Sequence, residues 1–165
     1  VRGMAGAHQV DGATKALGPE WVEAILGRVG ELRPLLGICL GMQWLFEGSD
    51  EAPDVPGLGV LPGRVVRLKG NAQERLKIPH VGWNALDFQG GATILAGLEP
   101  GAHVYFTHSY AAPVTADCVA ATTHAETFSA VVERANVFGG QFHPEKSSDA
   151  GLRIIRNFLE VARGC

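Results

Sequence analysis

The chain has 165 residues, 46% of them hydrophobic and 19% charged, with a formal net charge of −3. That length suits one domain able to bury about two-thirds of the surface its unfolded chain exposes, and the mild acidity provides no footprint for nucleic acid or an anionic membrane. No apolar run approaches the roughly 18 residues of a membrane span, and the opening "VRGMAGAHQVDG" lacks the apolar centre of a secretory signal, so a cytoplasmic protein is expected.

The first predicted element is a helix in "GPEWVEAILGRVGEL", with Pro19 in its first turn and Trp21, Val22, Ile25, Leu26 and Val29 at helical spacing. "PLLGI" follows as a short continuous apolar run of the kind found in buried parallel strands, and "LGMQWLFEG" reads as a helix ending at Gly48. Residues 49–63, "SDEAPDVPGLGVLPG", read as a loop leading into the strand "RVVRL". "HVGWNALDF", "HVYFTHSYAA", "CVAATTHA", "FSAVVER" and "NVFGGQFHPE" read as strands in hairpins or a meander, parted by "QGG", "EPG" and "RAN". "SSDAGLRIIRNFLEVARG" closes the chain as a helix with Ser or Asp at its N-cap and Leu152, Ile155, Phe158, Leu159 and Ala162 along one face. The expected architecture is a single α/β domain over residues 1–165, a mostly parallel sheet flanked by helices with an antiparallel insertion.

Cys39, Cys118 and Cys165 are an odd number at wide spacing without a CxxC, which argues against a disulfide framework or a zinc clip. Cys39 falls at a strand-to-helix turn, between Gly37 and Gly41, where an open α/β sheet presents its reactive groups. There the following helix is expected to lower the thiol pKa, and the Leu40 N–H can face a developing oxyanion. The alternative for Cys39 is a small core residue. In "QFHPEKS", Pro144 biases His143 to extended backbone, which turns His143 and Glu145 to the same side. A thiol, an imidazole base and an orienting carboxylate are the parts of a nucleophilic triad. Taken alone, His-Pro-Glu reads as a solvated surface turn about as readily as a catalytic pair, and part of a metal site is the weaker alternative. The six histidines show no HExxH or other tight ligand spacing, so no metal is expected.

"GICLGMQ" followed by "QFHPEKS" resembles the class I glutamine amidotransferases, with their flavodoxin-like sheet. "GLGVLPGRVVRL", "IPHVGWNAL", "VYFTHSYAA" and "GLRIIRNFL" are similar, within that class, to the glutaminase subunit of imidazole glycerol phosphate synthase. The likeness runs in order from about Arg33 to Leu159, and "PHVGWN" separates it from the anthranilate, GMP and carbamoyl phosphate synthase glutaminases.

The resemblance implies that Cys39 attacks the side-chain amide of glutamine, with His143 as general acid and base, Glu145 as its orienter and the Leu40 N–H as half of an oxyanion hole. It implies that Gln43, Glu51, Ser109 and Tyr110 hold the substrate, and that Trp83 and Lys146 meet a cyclase partner, a (β/α)8 barrel that receives the ammonia for histidine biosynthesis. No cofactor is implied. Without the resemblance, Gln43 reads as an exposed helix residue, Glu51 as a solvated loop acid and Tyr110 as a half-buried strand aromatic, and Trp83 reads equally as core or as partner face. Cys118 reads as a buried strand residue and Cys165 as an unactivated terminal thiol. The family's leading "IDYG" strand and "PGVG" loop have no counterpart here, which corresponds to about a quarter of the fold, and Gly6 is the candidate for the second oxyanion donor. A chain of only this length is expected to aggregate or depend on a partner, through exposed sheet edge. Two alternatives share these residues: a non-catalytic partner-binding subunit with an impaired oxyanion hole, and the glutaminase of another amidotransferase.

Overall fold

In the computed structural model, which describes residues 18–70 and 76–164, the apolar run after Arg33 forms β1 (Leu35–Ile38). It pairs in parallel with β10 (Val137–Gly140), Leu35 opposite Val137 and Ile38 opposite Gly140. β10 pairs antiparallel with β9 (Glu126–Arg134), and β9 with β8 (Cys118–His124), in the order β1-β10-β9-β8. A second sheet orders β3 (Ala52–Pro56), β2 (Gly48–Ser49), β4 (Arg64–Arg67) and β7 (Tyr110–Ala111). β5 (His80–Ala85) and β6 (His103–His108) form an antiparallel pair, tied to β8 by a bridge from Asp87 to Ala121.

The α/β class holds, as mixed sheets flanked by helices. Among the described residues, parallel pairing joins β1 to β10 and β2 to β4, and the other strand pairs are antiparallel. The short turns at Ala125 and at Ala135–Asn136 leave no room for the crossover that parallel neighbours need.

Alternation along β9 and β10 divides the core. Val131 and Phe138 face one cluster, with Leu86, Phe106, Phe128, Phe142 and Ile154; Val132 and Val137 face another, with Met42, Leu45, Phe46, Leu61 and Val65. Both faces of these strands are buried, over Phe128–Val132 in β9 and Val137–Gly140 in β10. Helix α1 (Pro19–Gly30) covers the second cluster with Val22, Ile25 and Val29. Trp21 and Leu26, expected on that face, point outward at 56% and 37% exposure.

Three further expectations are corrected. The helix after Cys39, α2, spans only Leu40–Trp44, because the carbonyls of Trp44, Leu45 and Phe46 accept from Leu58, Leu61 and Gly59 instead of from a next turn. The supposed loop 49–63 contains β3, whose Pro53 and Pro56 are tolerated because it is an edge strand. The closing helix, α3 (Ser148–Arg163), buries Gly151, Ile154 and Asn157, and leaves Leu152 and Leu159 exposed. Asn157 sets that face by donating to the carbonyls of Ile94 and Ala96 at 2.9 and 2.8 Å. The Ser147 hydroxyl makes no cap, being engaged elsewhere.

Candidate active site

Cys39 is the first residue beyond β1, and its N–H extends the ladder to the Gly140 carbonyl at 2.7 Å. The chain then reverses into α2, with Cys39 at φ 50° and ψ −105°, a left-handed conformation that is strained for a residue with a Cβ. The turn closes so tightly that a Cβ at Gly37 would lie 2.6 Å from the Gly41 backbone. This is the sharp elbow expected from the sequence.

The expected lowering of the thiol pKa is not found. Burial pushes the Cys39 thiol up, and the carboxylates of Glu145 and Glu51 push the same way; hydrogen bonds from Leu40 N–H and from Gln141 oppose them and lose. With α2 only five residues long, the helix dipole is weak beside desolvation.

His143 leaves the same end of the sheet, beyond β10. Its backbone is held on both sides: the N–H donates to Tyr105 O at 2.9 Å, and the carbonyl accepts from Ser147 Oγ at 2.6 Å and Lys146 N at 3.0 Å. Ser147 Oγ also accepts from Tyr105 N at 2.9 Å, so this hydroxyl clamps the loop to β6. His143 is extended, at φ −101° and ψ 101°, and its Nδ1 lies 2.9 Å from Glu145 Oε1, as the two-residue alternation predicts. A carboxylate can only accept, so Nδ1 carries the hydrogen and a neutral His143 leaves Nε2 with a free lone pair. Desolvation pushes the Glu145 carboxyl up, but its own N–H, the hydrogen bond and charge of His143, and Lys146 together outweigh it and hold the carboxyl below the usual value.

Gln43 is buried rather than exposed. Its Nε2 donates to Tyr110 O at 2.8 Å and to Gln141 Oε1 at 3.0 Å. Gln141 is wholly buried and its Nε2 lies 3.7 Å from Cys39 Sγ. Gln141 belongs to no catalytic pattern in the sequence, yet it stands two residues before His143 in an extended segment and so shares its side. Glu51 is half-buried, its N–H bonded to Ser49 Oγ, and its charge reaches Cys39. Ser109 gives its carbonyl to Leu68 N–H. The structure thus gathers Cys39, Leu40, Gln43, Glu51, Tyr110, His143 and Glu145 around one end of β1 and β10.

Trp83 is 53% exposed, so the core alternative for it is set aside. It meets Tyr105, its cross-strand partner, edge to face at 6.1 Å, and Lys146 Nζ lies 5.7 Å from the centre of the same ring. Cys118 is half-buried, its Sγ donating to Ala120 O and its thiol pushed up by burial. Gly6 and Cys165 lie outside the described residues. Among the described residues, no group of His, Cys, Asp and Glu is placed to hold a metal ion, and no helix is long and apolar enough to cross a membrane.

An elbow cysteine beside a His–Glu pair on a mixed α/β sheet defines a class, and the family model for class-I glutamine amidotransferases matches residues 17–162. Solved structures share the fold: a glutamine amidotransferase (TM-score 0.62, 24% identity, 87% of this chain and 68% of that one) and a putative GMP synthase subunit from Thermoplasma acidophilum (TM-score 0.64, 20% identity, 97% and 70%). The chain belongs, within that class, to the HisH subunits of imidazole glycerol phosphate synthase. It is 52% identical to the subunit from Syntrophotalea carbinolica over 86% of this chain and 71% of that protein. The subunit from Xanthomonas campestris pv. campestris is 46% identical over 98% and 82%.

Proposed function

We propose that this chain is a glutaminase subunit that acts as a single domain in the cytoplasm, hydrolysing glutamine to glutamate and ammonia and passing the ammonia to a cyclase partner. The observation that carries this reading is the pairing of β1 with β10, which sets the elbow thiol of Cys39 at the same sheet end as the His143–Glu145 pair.

Burial pushes the Cys39 thiol up and so favours the thiol over the thiolate, and attack is coupled to proton transfer. His143 Nε2 takes the thiol proton as Sγ bonds to the amide carbon, and Glu145 steadies the imidazolium. The amide oxygen becomes an oxyanion facing the Leu40 N–H, a donor worth about 3 to 4 kcal/mol in comparable sites. Collapse breaks the C–N bond, and His143 protonates the departing ammonia, leaving a thioester. His143 then takes a proton from water as its oxygen attacks the thioester; glutamate departs and Cys39 regains its proton. Gln43, Glu51, Ser109 and Tyr110 hold the glutamine, and no step needs a cofactor.

Trp83, Tyr105 and Lys146 form the face for the partner, a (β/α)8 barrel, since an exposed aromatic pair capped by a cation suits an anchor of a polar interface. The test is glutamate release from glutamine with and without the cyclase subunit. Release that depends on the partner and disappears in Cys39→Ala supports the reading. No release in the complex leaves the partner-binding role alone.

A further inference from the structure

Two histidines that the mechanism does not use are buried beside the site. His80 Nδ1 lies 3.1 Å from His108 Nε2, and His108 Nδ1 lies 2.8 Å from the Tyr110 carbonyl. The rings are packed in place: His80 stacks between Phe106 and His124, with centroids 4.8 and 4.1 Å away, and His108 meets Phe128 at 5.0 Å.

The protons of this network follow from its one acceptor-only atom. Tyr110 O cannot donate, so His108 Nδ1 carries a hydrogen. In a neutral ring His108 Nε2 is then the acceptor, and His80 Nδ1 donates to it. His80 Nε2 is left to accept, and Asn84 Nδ2 stands 3.4 Å from it. A second proton on either ring would set N–H against N–H, and burial holds His80 at about 3 and His108 at about 4.

The same carbonyl orders the other side. Tyr110 O also accepts from Gln43 Nε2, whose second hydrogen goes to Gln141 Oε1. Turning the Gln43 amide over would bring its oxygen against two acceptors. Gln141 therefore cannot turn either, and its Nε2 faces Cys39 Sγ.

We propose that Gln141 is a catalytic hydrogen-bond donor to the sulfur of Cys39, held in that orientation by a relay of positioning residues running from His80 through His108, the Tyr110 carbonyl and Gln43. Gln141 favours the thiolate as the proton leaves for His143, and supports the sulfur again when the thioester breaks. The role rests on the glutaminase reading, but it can be measured without glutamine or partner.

The measurement is the pH dependence of Cys39 alkylation by iodoacetamide, followed on the Cys39 peptide by mass spectrometry. Gln141→Met keeps the length and removes the donor; its midpoint should rise by about one pH unit, slowing alkylation about tenfold at neutral pH. His108→Leu, which empties one lone pair of the Tyr110 carbonyl, should raise the midpoint in the same direction. His108→Asn supplies an N–H where Nδ1 stood and should restore it, a rescue that lost packing alone does not produce. Should His108→Leu fail to fold, Gln141→Glu decides: it keeps an acceptor for Gln43 but turns a carboxylate oxygen to the sulfur, and must raise the midpoint beyond Gln141→Met. An unchanged midpoint in Gln141→Met or Gln141→Glu, or equal shifts in His108→Leu and His108→Asn, overturns the proposal. Either result stands apart from glutamate release, whose absence in the wild-type complex would sink the glutaminase reading alone.

Discussion

A cysteine held at φ 50° stores about 1 to 3 kcal/mol of backbone strain, and the surroundings of Cys39 show what keeps it there. The hydrogen bond to Gly140 anchors the strand side, and the absent Cβ of Gly37 lets the α2 backbone close over the turn. Gly37→Ala must push backbone against backbone, since no flexible side chain stands in the way to yield. We expect it to lower stability by about 1 to 3 kcal/mol, measured by urea denaturation, and to lower glutamate release beyond what the lost stability explains. Glu145 is more exposed than His143, with side chains 61% and 24% accessible, so solvent shares in stabilising the imidazolium. Glu145→Gln keeps a hydrogen-bonding partner but removes the charge. Its kcat should fall about tenfold with little change in KM, the signature of an interaction made in the transition state. Gln43 and Gln141 are residue types that usually lie at the surface, and their burial becomes favourable only because Gln43 bonds the Tyr110 carbonyl and Gln141 bonds Gln43, partners far off in sequence.

The strands read from alternation and turn signals are found almost where expected, because each buries one or both faces and so imposes its period on the sequence. α2 departs from expectation because its length is decided by a loop that comes back from residues 57–61 to take its carbonyls, a contact no local pattern encodes. The β5–β6 pair has two contrasting sides. His80 and His108 point inward, and Trp83 and Tyr105, opposite each other in register, lie on the other side with Trp83 53% exposed. Trp83→Ala removes an exposed ring whose ring contact is with Tyr105. We expect little change in melting temperature but a weaker cyclase complex, with Kd raised about tenfold or more for an aromatic anchor, read by calorimetric titration.

At the scale of the molecule, two clusters share the β9 and β10 strands, and the site lies at the end of that shared wall. The buried histidines make the fold sensitive to acid. His80 and His108 stay neutral when folded down to about 3 and about 4, whereas an unfolded histidine takes a proton near pH 6.5. Acid therefore favours the unfolded chain. Stability is fullest above about pH 6.5 and declines as the pH falls toward 4, by about 1.4 kcal/mol per pH unit for each ring. The melting temperature should drop steadily from pH 6.5 to 4.5; a flat profile across that window would show that the rings titrate freely when folded.

By itself the sequence determined the α/β class, most of the strands, the elbow at Cys39 and the facing of His143 and Glu145, because each depends on neighbours in the chain and on the period of the backbone. The upward shift of the thiol, the burial of Gln43, the exposure of Trp83 and the hydrogen bonds that meet at the Tyr110 carbonyl were decided only by tertiary structure. Each depends on water excluded and hydrogen bonds closed by segments far apart in sequence: 67 residues separate Gln43 from Tyr110, and 102 separate Cys39 from Gln141.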